Sequence, residues 1–229
     1  MKKIIILLLL CPNLIYAQFF SGGHFELKYD NFTGSDSKDY QTNMQGFGSI
    51  NMNFGYDLKY SIGKGAIKPF LNFGLGYASK IFRFKNDWIF EDQDGQLIFQ
   101  PDELTHSYSE DFFSYSKSKL YNYYIRLNPE FGFTMFNALL ISGGPIIDLR
   151  VYIFQKNKYK IDDTRYSNEL RRNNFFNSNL FHFGWRVNFG TPLVGVFGTY
   201  IITPFFKEDT SPEISPIEIG IYFREFEKD

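Results

Sequence analysis

Between Gly46 and Ile62 apolar and polar residues alternate with almost no exception. Ile50, Met52, Phe54, Tyr56, Leu58, Tyr60 and Ile62 share one face, and Ser49, Asn51, Asn53, Gly55, Asp57, Lys59 and Ser61 the other. A period of two marks an extended strand, whose successive side chains point to opposite sides of the pleat. The run exceeds the ordinary strand of a soluble domain, about 5–6 residues. Its apolar face is rich in Phe and Tyr; the other carries amides, small residues and charges.

Seven further stretches read as strands, six of them with the same alternation. In Gly23 to Tyr29, Phe25, Leu27 and Tyr29 oppose His24, Glu26 and Lys28. After Gly63-Lys64-Gly65, a tight turn, the run from Ile67 to Arg83 sets Leu71, Phe73, Leu75 and Tyr77 against Lys68, Asn72, Gly74, Gly76, Ala78 and Lys80. The fourth sets Tyr123, Ile125, Leu127, Phe131, Phe133 and Met135 against Asn122, Tyr124, Arg126, Asn128, Glu130, Gly132 and Thr134. Past a turn near Asn137, Ile141, Ile147, Leu149, Val151 and Ile153 oppose Ser142, Gly144, Asp148 and Arg150. The sixth sets Phe181, Phe183, Trp185, Val187 and Phe189 against His182, Gly184, Arg186, Asn188 and Gly190. Val194 to Thr203 is apolar on both faces, which leaves its inner face open. The last sets Ile217, Ile219, Ile221 and Phe223 against Glu218, Gly220, Tyr222 and Arg224.

Connection lengths alternate too. Strands two and three, four and five, and six and seven are joined by a few residues, whereas 30–45, 84–118, 155–174 and 204–215 are long. Strands greasy outside and polar inside, with short turns at one end and long loops at the other, predict an all-β fold. It is an eight-stranded antiparallel up-and-down transmembrane β-barrel with short periplasmic turns and long extracellular loops. Pro69, Pro129 and Pro145 fall inside these strands, and because proline lacks a ladder donor they predict local bulges. The rival from another class is a soluble periplasmic barrel of lipocalin type, with the faces reversed around an apolar ligand.

The N-terminus sets the compartment. Met1-Lys2-Lys3 is a basic n-region, Ile4 to Leu10 is an apolar h-region, and Ala17 before Gln18 offers a cleavage site. Residues 1–17 read as a secretory signal peptide, too short to span as a helix, and 18–229 as one barrel domain in the outer membrane. Leu10 before Cys11, the single cysteine, argues against a lipoprotein. Cys11 goes with the leader, so neither disulfides nor a thiol nucleophile enter the mature chain. About 212 residues remain, enough for one domain. Of 24 basic residues, losing Lys2 and Lys3 leaves 22 against 25 acidic ones, a balance without the footprint of a nucleic-acid partner. Aromatics make up 20% of the chain, with 28 Phe and 16 Tyr; in mid-strand they suit a lipid-facing surface with aromatic girdles.

Eight strands enclose a space that side chains just fill. Glu26, Lys28, Asp57, Lys59, Lys68, Lys80, Arg126, Glu130, Asp148, Arg150, Arg186, Glu218 and Arg224 all fall on the inward phase. Mixed charges in a narrow lumen should pair, which predicts a salt-bridged plug rather than an ion path. His24 and His182 also face inward, as hydrogen-bonded core histidines. Beside His106-Ser107 lie Asp102, Glu103, Glu110 and Asp111, but nothing fixes their geometry, so no catalytic, cofactor or metal residue is assigned. A lipid-modifying outer-membrane enzyme is the least favoured reading. Asp92-Gln93-Asp94-Gly95 lacks the remaining ligands of a calcium loop and reads as a turn closing a hairpin over Trp88 to Gln100.

The loops differ in charge. Residues 84–118 carry eight acids, Asp87, Glu91, Asp92, Asp94, Asp102, Glu103, Glu110 and Asp111, against Lys85 and Lys117. Residues 156–174 carry Lys156, Lys158, Lys160, Arg165, Arg171 and Arg172 against Asp162, Asp163 and Glu169. These cations suit either the acidic loop or the phosphates of outer-leaflet lipopolysaccharide.

The chain resembles the small PorT-like outer-membrane barrels of Bacteroidetes. The likeness rests on the Ala17-Gln18 start, Tyr124-Ile125-Arg126-Leu127-Asn128-Pro129-Glu130, Gly143-Gly144-Pro145 and the closing Gly220-Ile221-Tyr222-Phe223. It implies the same fold and location and a role as a secretion-machinery accessory; a surface-binding or adhesion module with protein partners at the extracellular loops is the other version of the reading. It also implies recognition of the last strand by barrel-assembly machinery, through Gly220, Phe223 and Phe226. Glu227-Lys228-Asp229 depart from the usual terminal Phe.

Overall fold

The computed structural model describes residues 18–34, 49–63, 65–84, 88–93, 96–101, 113–161, 164–170, 177–207, 213–225 and 227–228. The expected leader and the His106-Ser107 cluster lie outside the described residues. Twelve strands follow in order: β1 Gln18–Thr33, β2 Ile50–Ser61, β3 Ile67–Phe84, β4 Trp88–Gln93, β5 Gln96–Pro101 and β6 Phe113–Met135. Then come β7 Leu139–Ile161, β8 Thr164–Leu170, β9 Phe181–Gly190, β10 Val194–Ile201, β11 Ser215–Arg224 and β12 Glu227–Lys228.

Eight of them close a ring in the order β1-β2-β3-β6-β7-β9-β10-β11. Each pairs antiparallel with its neighbour, and β11 returns to β1 from His24↔Arg224 to Thr33↔Ser215. Closure leaves no edge strand, the condition for backbone to cross hydrocarbon with its polar groups satisfied. The eight correspond one to one with the eight alternating segments. Short turns gather at one end: around Gly63, at 136–138 and at 191–193. Phe136 and Asn137 take positive φ of 51° and 57°, and Ala138 N–H closes that turn on Met135 O at 3.0 Å.

The faces decide between the two barrel inversions. Ile50, Met52, Phe54, Leu75, Phe131, Trp185, Val187, Phe189 and Ile219 are exposed, while Glu26, Lys28, Asp57, Lys80, Arg186 and Glu218 are buried. A lipocalin would show the reverse. On β10 the inward residues are Phe197, Thr199 and Ile201, and Val194, Val196 and Tyr200 face out. The polarity of neighbours sets that phase where β10's own does not.

Three expectations are corrected. No bulge lies at the prolines. Ile67↔Met135 to Phe84↔Ser118 run through Pro69 in one register. Pairing of β6 with β7 leaves off at Leu127↔Ile147 and resumes at Phe131↔Gly143 without a shift. Pro129 and Pro145 therefore stand opposite each other, so the missing donors fall on a single seam. A bulge lies instead at Val151, where Tyr123 pairs with Tyr152 but Tyr124 with Arg150, and the register shifts a second time between Phe113 and Tyr115. One extra residue flips the phase, because side chains alternate with period two. Val151 and Tyr152 are both exposed, and Ile153, expected outside, is buried inside. Nor is 155–170 a loop. β6 and β7 run 23 residues each, beyond the roughly 9–11 needed to span, and β8 pairs with the extension of β7. The expected hairpin over Trp88 to Gln100 is present, with Gln93 paired to Gln96 across residues 94–95, themselves outside the described residues.

Candidate functional site

The lumen is where the sequence concentrates its chemistry, and the barrel brings those residues together in two layers of charge under an aromatic lid.

The upper layer centres on Arg126. Its Nε and Nη2 donate to Asp148 Oδ1 and Oδ2 at 2.6 and 2.8 Å. Its Nη1 and Nη2 donate to Glu218 Oε2 and Oε1 at 2.8 and 2.7 Å. A planar guanidinium with a fixed fork of donors can hold two carboxylates this way, and an ammonium cannot. Lys80 Nζ adds a bond to Asp148 at 2.7 Å. Lys28 Nζ donates to Asp30 at 2.8 Å and lies 3.0 Å from Glu218. Three cations thus meet three carboxylates. Asp30, which the shorter first strand of the sequence reading left out, also accepts from Asn51 Nδ2.

In the lower layer Arg224 Nη2 donates to Glu130 at 2.8 Å, and its Nε lies 3.3 Å from Asp57. Arg186 Nη2 is 2.6 Å from Glu26, and its guanidinium lies over the Phe197 ring at 3.8 Å, a cation–π contact. His24 Nδ1 approaches Asp57 Oδ2 at 3.2 Å without hydrogen-bond alignment. Room for the imidazole comes from Gly55, where a Cβ would stand 2.7 Å from His24 Cε1. Lys68 keeps the inward phase, opposite Thr134 at the mouth of the lumen. It sits half-buried at the turn end, bonding Asn137 Oδ1 at 2.8 Å.

Above the charges is an apolar core that the alternation did not announce. Phe32, Phe82, Phe84, Phe90, Leu120, Ile153, Phe205, Phe206 and Ile214 form one buried cluster. The β4–β5 hairpin contributes Phe90, whose N–H donates to Gln155 Oε1 at 2.9 Å. The β10–β11 connection contributes Phe205, Phe206 and Ile214. Phe32 stacks on Phe82 at 4.1 Å. His182, expected to be hydrogen-bonded, has no partner on either ring nitrogen among the described residues. It packs between Tyr124 and Phe205 instead. Arg150 bonds Ser178 Oγ and Asn179 O, fixing the segment before β9.

A void of about 10 Å³ lies among His24, Glu26, Asn53, Arg126, Asn128 and Arg186, the size of one water. A vestibule of about 210 Å³ opens at the turn end, lined by Phe20, Lys59, Ser61, Lys68, Thr134 and Asn137 among others. Among the described residues no group of His, Cys, Asp and Glu side chains is arranged to hold a metal ion.

Apolar outside, charged inside and without an edge, the chain is an integral outer-membrane β-barrel. No family model matches it, and no curated protein does. Among solved structures it is similar to Ail, the attachment invasion locus protein of Yersinia pestis, crystallised with the heparin analogue sucrose octasulfate. Identity is 11%, with 91% of this chain and 99% of that one covered and a TM-score of 0.33. It is likewise similar to Neisserial surface protein A, at 10% identity, 91% and 97% coverage and a TM-score of 0.33. A porin of Rhodopseudomonas blastica follows at 10% identity, 91% and 100% coverage and a TM-score of 0.20. The class assignment stands on the barrel's own geometry.

Proposed function

We propose that this protein is a closed, non-enzymatic outer-membrane barrel that works through its surfaces, not by conducting through its lumen. The observation that carries the reading is Arg126, which clasps Asp148 and Glu218 across the bore beneath a buried aromatic lid. An ion entering this lumen would have to break charge pairs that are excluded from water, and removing one member of such a set costs several kcal/mol. The extended β6–β7–β8 ribbon and the β4–β5 hairpin then present the contact surfaces. The PorT-like resemblance favours a secretion-machinery accessory, and a surface-binding module would use the same ribbon. During insertion, β11 would be the strand read by assembly machinery, since its pairing with β1 closes the ring. Purified protein in planar bilayers tests the closed lumen. It should give no steady current, and stable large single-channel conductance from the wild type would refute it.

A further inference from the structure

At the short-turn end the bore widens into the vestibule of about 210 Å³, whose two walls differ in kind. Lys59, Lys68 and Thr134, from the adjacent strands β2, β3 and β6, make the polar wall, and Phe20, Pro192 and Leu193 the apolar one. Strand pairing sets the arrangement, with Lys68 opposite Thr134 and Phe20 opposite Lys59. Among the described residues no Asp or Glu lines this space. Its volume far exceeds the roughly 10–15 Å³ that one water needs, and falls below the roughly 300–1,000 Å³ of a drug-sized pocket. It suits a small molecule or one terminal residue of a chain.

Thr134 is the residue that points to an occupant. It is only 6% exposed, and its Oγ1 is buried without a hydrogen-bond partner among the described residues. Desolvating a hydroxyl without a partner costs free energy, and such groups are few in folded proteins. The lysines set the sign of charge beside it while keeping contacts of their own. Lys68 Nζ, with three donors, gives one to Asn137 Oδ1 at 2.8 Å, and Lys59 Nζ lies 4.4 Å over the Phe70 ring. Asp57 and Glu130 of the lower charge layer also act on Lys59, so the pull on an anion comes chiefly from Lys68.

An inorganic anion would meet the hydroxyl and the charge but leave Phe20, Pro192 and Leu193 facing water. A neutral apolar molecule would do the reverse. A carboxylate carrying a short apolar group meets both walls, its oxygens accepting from Thr134 Oγ1 and, with charge assistance, from Lys68 Nζ. We propose that the short-turn mouth of the lumen binds such a carboxylate, either a small free acid or the C-terminal residue of a polypeptide. On the membrane-barrel reading this mouth faces the periplasm, which gives the protein a second contact surface opposite the ribbon. Conduction through the lumen beyond it does not enter, so this test and the bilayer test fail separately.

Amide NMR of the isotope-labelled barrel in detergent micelles tests it, with N-acetyl-leucine and its neutral analogue N-acetyl-leucinamide as probes. The acid should shift Phe20, Lys59, Lys68 and Thr134 and saturate on the order of 1 mM, ordinary for so small a ligand. The amide, lacking the charge, should bind about tenfold more weakly. Lys68→Gln should remove that difference, and the exposed Lys207→Gln beside the lid should keep it. Thr134→Val should weaken the acid by about fivefold, as loss of one hydrogen bond to a charged group requires, without lowering stability to urea. Lower stability with unchanged affinity would make the hydroxyl merely structural and overturn the site. Equal binding of acid and amide by the wild type, or no saturable shift, would also overturn it and leave a water-filled mouth. So would displacement of the acid by an equal concentration of inorganic phosphate. Isocaproate separates the two sources: binding as tight as that of N-acetyl-leucine assigns the site to free acids, and weaker binding assigns it to a chain terminus.

Discussion

Arg126 on β6 and Glu218 on β11 are joined by two hydrogen bonds, of 2.8 and 2.7 Å, although their strands lie diametrically opposite in the eight-stranded ring. The same two strands exchange a second pair in the reverse sense, Arg224 of β11 with Glu130 of β6 at 2.8 Å. Two reciprocal clasps thus cross the bore, one in each charge layer. Both carboxylates also bond to neighbours on their own side, so neither clasp can be removed without stranding a buried charge.

Arg126→Met should therefore destabilise the barrel by about 3–5 kcal/mol, the cost of leaving buried partners uncompensated. Urea unfolding in detergent or vesicles, followed by loss of the heat-dependent gel shift, measures it. Lys68→Met, which breaks an exposed bond at the turn end, should change little. Equal stabilities of the two variants would contradict the clasp.

Leu75 is exposed on the outer face of β3 and pairs with Leu127 near the middle of the wall. Leu75→Lys should cost about 2–4 kcal/mol of insertion free energy, against about 0–1 for Phe136→Lys at the turn rim. Folded yield into vesicles of defined thickness compares them. Matching yields would put the hydrocarbon elsewhere.

Gly144 faces inward on β7, where an added Cβ would stand 2.0 Å from Pro129 O. Gly198 has nothing within 4 Å of that position. Gly144→Ala should impair assembly because main chain, not a movable side chain, blocks the methyl group. Gly198→Ala should assemble as the wild type does. The contrast is read as the fraction reaching the folded band.

The bulge at Val151 predicts a break in labelling phase. With Cys11, the single cysteine, replaced by Ser, single cysteines can be placed freely along β7. Val151→Cys and Tyr152→Cys should both react with a probe reaching the outer surface, whereas Ile153→Cys should not. Strict alternation, with 151 and 153 reactive and 152 silent, would remove the bulge.

Sequence by itself determined the eight strands, their inward charges and which end of the barrel carries the short turns. Each of those is written in a local quantity, the period of two or the length of a connection, and a barrel wall has one lipid side and one lumen side everywhere. It also placed Arg126 and Asp148 on the inward phase of consecutive strands, where β6 and β7 pair them directly. Only the tertiary structure decided what depends on the third dimension. Arg126 with Glu218 and Arg224 with Glu130 are separated by 92 and 94 residues, and only closure of the ring faces their strands across a common bore. Ile153 turns inward because one extra residue in β7 shifts the phase, and no pattern in Val151-Tyr152-Ile153 distinguishes a bulge from a continuous strand. Phe197 reads the same as an outward aromatic until β9 and β11 fix the side of the wall it occupies. The lid gathers Phe32, Phe82, Phe90 and Phe205 from four separate segments. Apolar residues inside a membrane barrel run against the alternation rule. They are stable there because they bury one another above the level where lipid could have covered them.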